Sequence, residues 1–126
     1  MNYYASNTIA LAFMGDAVYE AYIREKIFDE ISNKRPDQMH KASVRYVKAT
    51  AQCETIKKLL DEGFLTEEET ALVKRARNHK VAHKAKNAGV VEYKWATAFE
   101  ALLGWLYLSD QKERLYEIME KSYEQG

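Results

Sequence analysis

The stretch WATAFEALLGWLYLS, residues 95–109, decides the fold class, because it is apolar around most of a helix and contains one charged residue, Glu100. The stretch TIALAFMGDAVY, residues 8–19, has the same character, and Asp16 is its one charged residue. Helices that are apolar on nearly every side are buried in the core of a protein. Neither stretch alternates apolar and polar residues as a half-buried strand does. The two stretches therefore predict an all-α protein with two buried helices at its centre.

Capping and breaking residues predict the other helices of a single domain of about five to seven helices. Pro36 suits the first turn of a helix, where its missing N–H is not needed. Gly63 predicts a helix end, and Thr66 with Glu69 has the spacing of a capping box at the next helix start. Asp110 predicts the cap of a last helix. The predicted helices span residues 8–30, 37–61 with a break near Thr50, 66–77, 93–108 and 110–123, with a helix stop at residues 87–89.

Composition narrows the class of protein. A chain of 126 residues has the size of one domain, so residues 1–126 are assigned to one domain. Five glycines and one proline are too few for a β-sandwich, and one cysteine excludes an internal disulfide and a Cys-only zinc site. The longest apolar run, residues 101–108, is shorter than the roughly 20 residues that span a membrane. A signal peptide has basic residues before its apolar stretch, and no basic residue precedes the first apolar stretch of this sequence. We therefore expect a cytoplasmic protein without a membrane partner.

The two isolated carboxylates are the strongest functional signal in the sequence. An ionised carboxylate on an apolar helix is costly unless something compensates it. Two solutions stay open: Asp16 and Glu100 share a cation, or each pairs with a basic side chain from elsewhere in the core. Oxygen-only ligands favour Mg²⁺ or Mn²⁺ over zinc. Glu20 and Arg24 follow Asp16 at helical spacing and predict a surface ion pair, so Glu20 is expected to support a metal ligand rather than to bind the ion.

A basic segment, residues 74–94, interrupts the otherwise balanced charge of the chain. The net charge is zero, but this segment contains seven Lys or Arg residues and one acidic residue, Glu92. Such a block is a candidate surface for a polyanion; a solvated charged segment is the alternative. His79 and His83 have the spacing of a helical metal pair, but no third ligand is obvious nearby, so phosphate contact or plain exposure is favoured over zinc.

The two apolar stretches resemble motifs of the ribonuclease III family. LAFMGDAV, residues 11–18, is similar to the family signature, in which the Asp after the Gly is a catalytic metal ligand; here that residue is Asp16. AFEALLG, residues 98–104, is similar to a second motif, in which the Glu is the principal magnesium ligand; here it is Glu100. The resemblance is closer to the Mini-ribonuclease III branch, which lacks the appended double-stranded-RNA-binding domain. Further segments that resemble this branch are residues 39–41, 46–52 and 75–78.

The sequence departs from the longer members of the family at two acidic positions. Ala12 and Thr97 stand where those members have carboxylates. Mg²⁺ commonly keeps several waters and needs only one or two protein carboxylates plus substrate phosphate, so Asp16 and Glu100 can suffice. Thr97, one turn before Glu100, is placed to hydrogen-bond a water beside the ion.

The resemblance also implies an activity and partners. It implies a Mg²⁺-dependent endoribonuclease that cleaves double-stranded RNA and leaves 5′-phosphate and 3′-hydroxyl ends. It implies a homodimer in which Phe13 matches the residue that inserts into the partner's surface, with core packing as the alternative for Phe13. It further implies maturation of the ends of precursor 23S ribosomal RNA, helped by a large-subunit ribosomal protein. Contacts to the RNA backbone are expected at Arg75, Arg77, Asn78, Lys80, Lys84 and Lys86.

Two other functions stay open on the sequence alone. The missing carboxylates at Ala12 and Thr97 suggest a catalytically weak relative that binds duplex RNA and assists ribosome assembly. Alternatively, Asp16 and Glu100 are salt-bridged core acids of a helical interaction domain with no nucleic-acid role. Turnover of duplex RNA excludes the first function, and retardation of RNA in a gel excludes the second.

Overall fold

The regular elements of the protein are helices wherever the structure describes the chain. This computed structural model describes residues 2–32, 34–79 and 89–125. A short 3-10 turn, Tyr3–Ala5, precedes the longer elements. The helices are α1 (Thr8–Glu30), α2 (Pro36–Val47), α3 (Ala49–Asp61), α4 (Glu67–Arg77), α5 (Gly89–Leu108) and α6 (Lys112–Gln125). The prediction of an all-α fold is confirmed, and none of these helices is long and apolar enough to cross a bilayer.

Polar side chains cap the helices where the sequence predicts helix starts. The Asn7 side chain accepts hydrogen bonds from the N–H groups of Ile9 and Ala10 at the start of α1. Thr66 and Glu69 form the predicted capping box, with reciprocal hydrogen bonds of 2.9 and 3.1 Å. These bonds satisfy N–H groups that the first turn of a helix leaves without a partner.

One predicted helix boundary lies close to its expected place, and two others are wrong. The break predicted near Thr50 falls at Lys48, which separates α2 from α3. Gly89 was expected to stop a helix but belongs to α5. A helix tolerates a glycine at a cost of only about 1 kcal/mol. Asp110 was expected to cap α6, but α6 begins at Lys112.

Asp110 instead ends α5. It adopts a left-handed backbone conformation at φ 61°. Its N–H donates to the Tyr107 carbonyl (3.1 Å), and the Gln111 N–H donates to the Leu106 carbonyl (2.8 Å). This pair of bonds is the Schellman pattern, and Asp is one of the few residues besides Gly that tolerates the left-handed region.

Helix α5 forms the centre of the fold. It packs against α1, α3 and α4, and α6 covers its C-terminal part. Residues 96–99 and 101–106 are all buried, so nearly the whole circumference of the helix contacts protein. The half-buried Glu100 interrupts this run. The sequence prediction of an apolar central helix with one exceptional carboxylate is therefore confirmed.

Helices α1 and α5 cross with their backbones in contact. A Cβ atom added to Gly15 would lie 1.7 Å from the Glu100 carbonyl oxygen, and one added to Gly104 would lie 1.9 Å from the Leu11 carbonyl oxygen. Only glycine fits at either position. Because Gly15 directly precedes Asp16 and contacts the backbone of Glu100, this crossing brings the two lone acidic residues together.

Candidate active site

Asp16 and Glu100 form an acidic pair at the crossing of α1 and α5. Asp16 is exposed, whereas Glu100 is half-buried. Their carboxyl groups are close enough for Asp16 to raise the pKa of Glu100. Two carboxylates separated by more than 80 residues of sequence thus lie together where the two helices cross.

The acidic pair has no basic partner among the residues that the structure describes. None of the salt bridges between those residues includes Asp16 or Glu100. Glu20 lies one turn after Asp16 and pairs with Arg24 at 2.9 Å, as predicted for a surface ion pair. Within the described ranges, the structure therefore shows no salt bridge of the kind that the alternative interpretation of the two acids requires.

The surroundings of Glu100 favour its protonated form. Burial raises the pKa of Glu100 to about 8, and the charge of Asp16 and the hydrogen bond between the two carboxyl groups act in the same direction. The hydrogen bond from Gln52 opposes this rise, and the charge of Glu20 adds a smaller increase. Glu100 therefore holds a proton near neutral pH. A divalent cation bound between the carboxylates would displace that proton.

The raised pKa of Glu100 predicts that the metal-free protein loses stability as the pH rises from about 5 to 8.5. The ordinary pKa is 4.5, so in this window the folded state keeps a proton that the unfolded state releases. Stabilisation is fully present below this window and is lost as the pH passes the folded pKa. We expect a loss of about 2–4 kcal/mol, measured by urea unfolding in EDTA. Glu100→Gln should flatten the profile, and an unchanged profile in that variant would contradict the assignment.

Gln52 on α3 contacts Glu100, although it was not predicted as a site residue. Its side chain is 2% exposed. The Nε2 group donates to the Val47 carbonyl at 2.8 Å and to Oε2 of Glu100 at 3.3 Å. The Oε1 atom is buried and has no hydrogen-bond partner in the described part of the chain. The available sequence signal was a polar residue at a core position of α3, next to the buried Cys53.

The donor atoms at this site suit a hard divalent cation. Over residues 2–32, 34–79 and 89–125, no three His, Cys, Asp or Glu residues cluster in a way that could hold a metal. The acidic pair offers carboxylate oxygens, the ligand atoms that Mg²⁺ and Mn²⁺ prefer. Mg²⁺ binds through one or two carboxylates while keeping waters, so the residues present fit that ion.

The positions of the two missing carboxylates are buried. Ala12 is 6% exposed on α1, one turn before Asp16. Thr97 is 7% exposed, and its hydroxyl donates to the Tyr93 carbonyl at 2.9 Å. The Thr97 hydroxyl proton is therefore committed to its own helix, and its expected contact with a water beside the ion stays a prediction.

The structure describes three of the six residues that are expected to contact RNA. Arg75 donates to the carbonyls of Tyr4 and Ser6, and its guanidinium lies 5.2 Å from the centre of the Tyr4 ring. It therefore holds the N-terminal segment against α4. The Arg77 Nε group donates to the side chain of Asn78 at 3.1 Å. The expected contacts that lie outside the described residues are Lys80, Lys84 and Lys86.

Two cationic side chains lie over the indole of Trp95, and one of them was not predicted to belong to the basic surface. The Arg77 guanidinium lies 4.9 Å from the ring centre, and the Lys57 ammonium lies 5.6 Å from it. Lys57 belongs to α3, outside the basic segment of the sequence. Trp95 thus gathers positive charge from two helices beside the N-terminal half of α5. His79, proposed as one of a metal pair, lies with Nδ1 3.3 Å from the Thr8 hydroxyl; His83 is outside the described residues.

Phe13 lies on the surface of α1. Its side chain is 82% exposed, so the alternative of core packing is wrong. Beside it, an apolar groove of about 310 Å³ runs between α1 and the C-terminal helices. The groove is lined by residues that include Met14, Val18, Tyr22, Tyr116 and Met119. An exposed aromatic side chain next to an apolar groove is typical of a protein interface.

Comparison with known proteins gives consistent matches over nearly the whole chain. The family model of the Ribonuclease III domain matches residues 9–111, which include both carboxylates. Mini-ribonuclease 3 of Thermoanaerobacter is 48% identical over 114 residues, covering 90% of this chain and 78% of the relative. Mini-ribonuclease 3 of Enterococcus faecalis is 43% identical over 118 residues, covering 94% and 89%. A crystal structure of a protein from Fusobacterium nucleatum superposes with a TM-score of 0.78 at 32% identity, covering 92% and 90%.

Proposed function

We propose that this chain, which belongs to the ribonuclease III family, cleaves double-stranded RNA with a Mg²⁺ ion held by Asp16 and Glu100. Membership of the family makes the chain an endoribonuclease. The proposal adds the ion, with Mn²⁺ as a substitute, and the residues that hold it. One observation carries it: the acidic pair at the α1–α5 crossing has no basic partner among the described residues.

The chain's own residues prepare this site for phosphodiester hydrolysis. A divalent cation supplies Lewis-acid chemistry when bound, since it activates water and offsets negative charge on phosphate. Asp16 and Glu100 would provide the negative charge and oxygen atoms that hold such a cation, and Glu100 would release its proton on binding it. Gln52 fixes the orientation of the Glu100 carboxylate through its N–H group. Asp16 is exposed, so the site opens to the surface where a duplex can approach.

The proposed chemistry is tested with a long RNA duplex incubated with the protein in Mg²⁺ and, separately, in EDTA. We expect cleavage in Mg²⁺ alone. The products should carry 5′-phosphate and 3′-hydroxyl ends, so kinase labelling of the new 5′ ends should require prior phosphatase treatment. Equal cleavage in EDTA would contradict the proposal, as would 5′-hydroxyl ends.

The RNA is proposed to lie along the positive charge beside α5. Arg77 and Asn78 end α4 on this side, and Lys57 joins them around Trp95. Lys80, Lys84 and Lys86 follow in the sequence and extend the proposed contact. Arg75 stays in the proposal as a contact, although its guanidinium also holds the N-terminal segment. Such contacts recognise phosphates and shape rather than base sequence.

Arg77→Gln is expected to weaken duplex binding and to reduce the slope of log affinity against log salt concentration by about 1. The reason is that one phosphate contact, and the counterion it releases, is lost. Fluorescence anisotropy with a labelled duplex in EDTA, at several salt concentrations, measures the slope. Lys121→Gln is the control, because Lys121 lies on α6 and pairs with Glu62. Equal slopes for Arg77→Gln and wild type would remove Arg77 from the interface.

The enzyme is proposed to act as a homodimer through Phe13. One active site cuts one strand, so two sites related by a two-fold axis cut both strands of a duplex. The exposed ring of Phe13 and the apolar groove beside it supply the two halves of a self-complementary contact. Phe13 precedes Asp16 by three residues on α1, so the interface would border the acidic pair.

Phe13→Ala is expected to convert the dimer to a monomer at micromolar concentration. Burial of a phenylalanine side chain contributes about 2–3 kcal/mol, and a two-fold dimer buries two copies. Sedimentation equilibrium measures the dissociation constant. Phe28→Ala is the matched control, because Phe28 is 52% exposed at the other end of α1. Unchanged dimerisation of Phe13→Ala would place the interface elsewhere.

The cellular substrate is proposed to be precursor 23S ribosomal RNA in the cytoplasm, trimmed at both ends with the help of a large-subunit ribosomal protein. The chain's similarity to Mini-ribonuclease 3 proteins supports this assignment. A second candidate, a duplex-binding assembly factor with weak catalysis, is favoured by Ala12 and Thr97, which reduce the site to two carboxylates. Duplex retardation without cleavage in Mg²⁺ would favour the second candidate.

A further inference from the structure

The orientation of the Gln52 side chain is fixed by its surroundings. The Val47 carbonyl can only accept a hydrogen bond, so the amide nitrogen of Gln52, not its oxygen, faces it at 2.8 Å. The same nitrogen also donates to Oε2 of Glu100 at 3.3 Å. Nε2 therefore has two acceptors. Oε1 belongs to the same planar amide, so it is held in place by the two hydrogen bonds of Nε2.

The Gln52 oxygen is an exception to a strong rule of protein interiors. Buried polar atoms almost always have a hydrogen-bond partner, and each exception needs an explanation. Oε1 has no partner within residues 2–32, 34–79 and 89–125, on a side chain that is only 2% exposed. A purely structural glutamine at this position would leave its acceptor unsatisfied at a cost to folding. An unsatisfied acceptor on a side chain that also hydrogen-bonds Glu100 is explained if a bound group supplies the missing hydrogen bond.

We propose that Gln52 is a positioning residue that orients the Glu100 carboxylate through Nε2 and accepts a hydrogen bond at Oε1 from water that the cation carries into the site. This inference rests on the proposed function of the Asp16–Glu100 pair. It also explains how two carboxylates suffice. A hard cation that keeps several waters needs acceptors for their hydrogens as well as ligands for itself. Gln52 supplies one such acceptor from a third helix, α3, in addition to the two helices that carry the carboxylates.

The test is Mn²⁺ binding to the full chain without RNA, measured by isothermal titration calorimetry. Gln52→Leu is expected to raise the Mn²⁺ dissociation constant about tenfold, since loss of a residue behind a metal ligand typically costs 10- to 100-fold in affinity. Gln52→Met serves the same purpose if the leucine variant does not fold. Thr55→Val is the control, because Thr55 is a buried polar residue on the same helix and lines a different cavity, next to Tyr19. A dissociation constant within twofold of wild type in a folded Gln52→Leu or Gln52→Met protein would overturn the proposal.

A rescue variant separates the acceptor from simple packing. Gln52→Glu keeps an oxygen acceptor at the position. It is therefore expected to bind Mn²⁺ about ten times more tightly than Gln52→Leu. Equal weakening in both variants would overturn the acceptor role. The variants Asp16→Asn and Glu100→Gln show whether a negative result contradicts only this inference or also the proposed function. If these two variants lose Mn²⁺ while the Gln52 variants keep it, only the present inference fails; if wild type does not bind Mn²⁺, both fail.

Discussion

Glu100→Gln is expected to abolish cleavage of duplex RNA while making the metal-free protein more stable at pH 8. A glutamine keeps the size of the side chain but removes the negative charge that holds the cation. Metal-ion stabilisation of the reacting phosphate amounts to several kcal/mol, so the rate should fall by about 10³-fold or more. The stability should rise because the amide is neutral and can donate a hydrogen bond to Asp16, where the glutamate keeps a proton only by virtue of its raised pKa.

The two halves of this prediction are measured on the same protein preparation. Single-turnover cleavage in Mg²⁺ gives the rate, and thermal unfolding in EDTA at pH 8 gives the melting temperature, which should increase by about 5 °C. Asp29→Asn is the matched control, since it removes an exposed negative charge from the same helix as Asp16 without touching the pair. Retained cleavage by Glu100→Gln would contradict the role of Glu100 as an essential metal ligand. A lower melting temperature would show that the carboxylate stabilises the fold.

Gly104→Ala is expected to prevent the protein from folding stably at 37 °C. The new methyl group would lie 1.9 Å from the Leu11 carbonyl oxygen and 3.0 Å from the Gly15 nitrogen. Both are backbone atoms of α1 and cannot turn aside as a side chain can. The two central helices must therefore separate, which opens the core around α5. We expect a loss above 4 kcal/mol, a large part of the 5–15 kcal/mol that stabilise a typical domain.

Gly63→Ala is the matched control for this substitution. Gly63 has a φ of +67°, but nothing lies within 4 Å of a Cβ added there, so the cost is limited to backbone strain of about 1 kcal/mol. Urea unfolding of the two variants compares the cost of a backbone clash, at Gly104, with the cost of a strained backbone conformation, at Gly63. Gly15→Ala should resemble Gly104→Ala, because its Cβ would meet the Glu100 carbonyl at 1.7 Å. A Gly104→Ala protein as stable as Gly63→Ala would contradict the close crossing of α1 and α5.

The sequence predicted the parts of the fold that depend on neighbouring residues. The Thr66–Glu69 capping box and the apolar character of α5 are such features, and both are confirmed. Lone acids on apolar helices also located Asp16 and Glu100, because an uncompensated charge is unusual wherever the helix packs. Gly89 and Asp110 were misread, since each residue type serves both at helix ends and inside other elements, and the choice between them depends on tertiary packing.

Features that join distant parts of the chain could not be predicted. Glu69 was expected as a capping residue, but its buried salt bridge to Arg114, 2.8 Å long, joins residues 45 positions apart. Gln52 reaches Glu100 across 48 positions, and one polar residue in α3 does not reveal that contact. Lys57 and Arg77 likewise lie near each other because both contact the ring of Trp95, which is distant from them in the sequence. Local rules give no information on which helix faces meet.

Anomalous diffraction from crystals of the protein soaked in Mn²⁺ would locate the cation proposed for the acidic pair. We expect an anomalous peak between the carboxylates of Asp16 and Glu100, in coordination with both, that is absent from Asp16→Asn crystals treated in the same way. A Mn²⁺ ion bound elsewhere on the chain, in crystals of a protein that cleaves duplex RNA in Mn²⁺, would contradict the assignment of this acidic pair as the catalytic metal site.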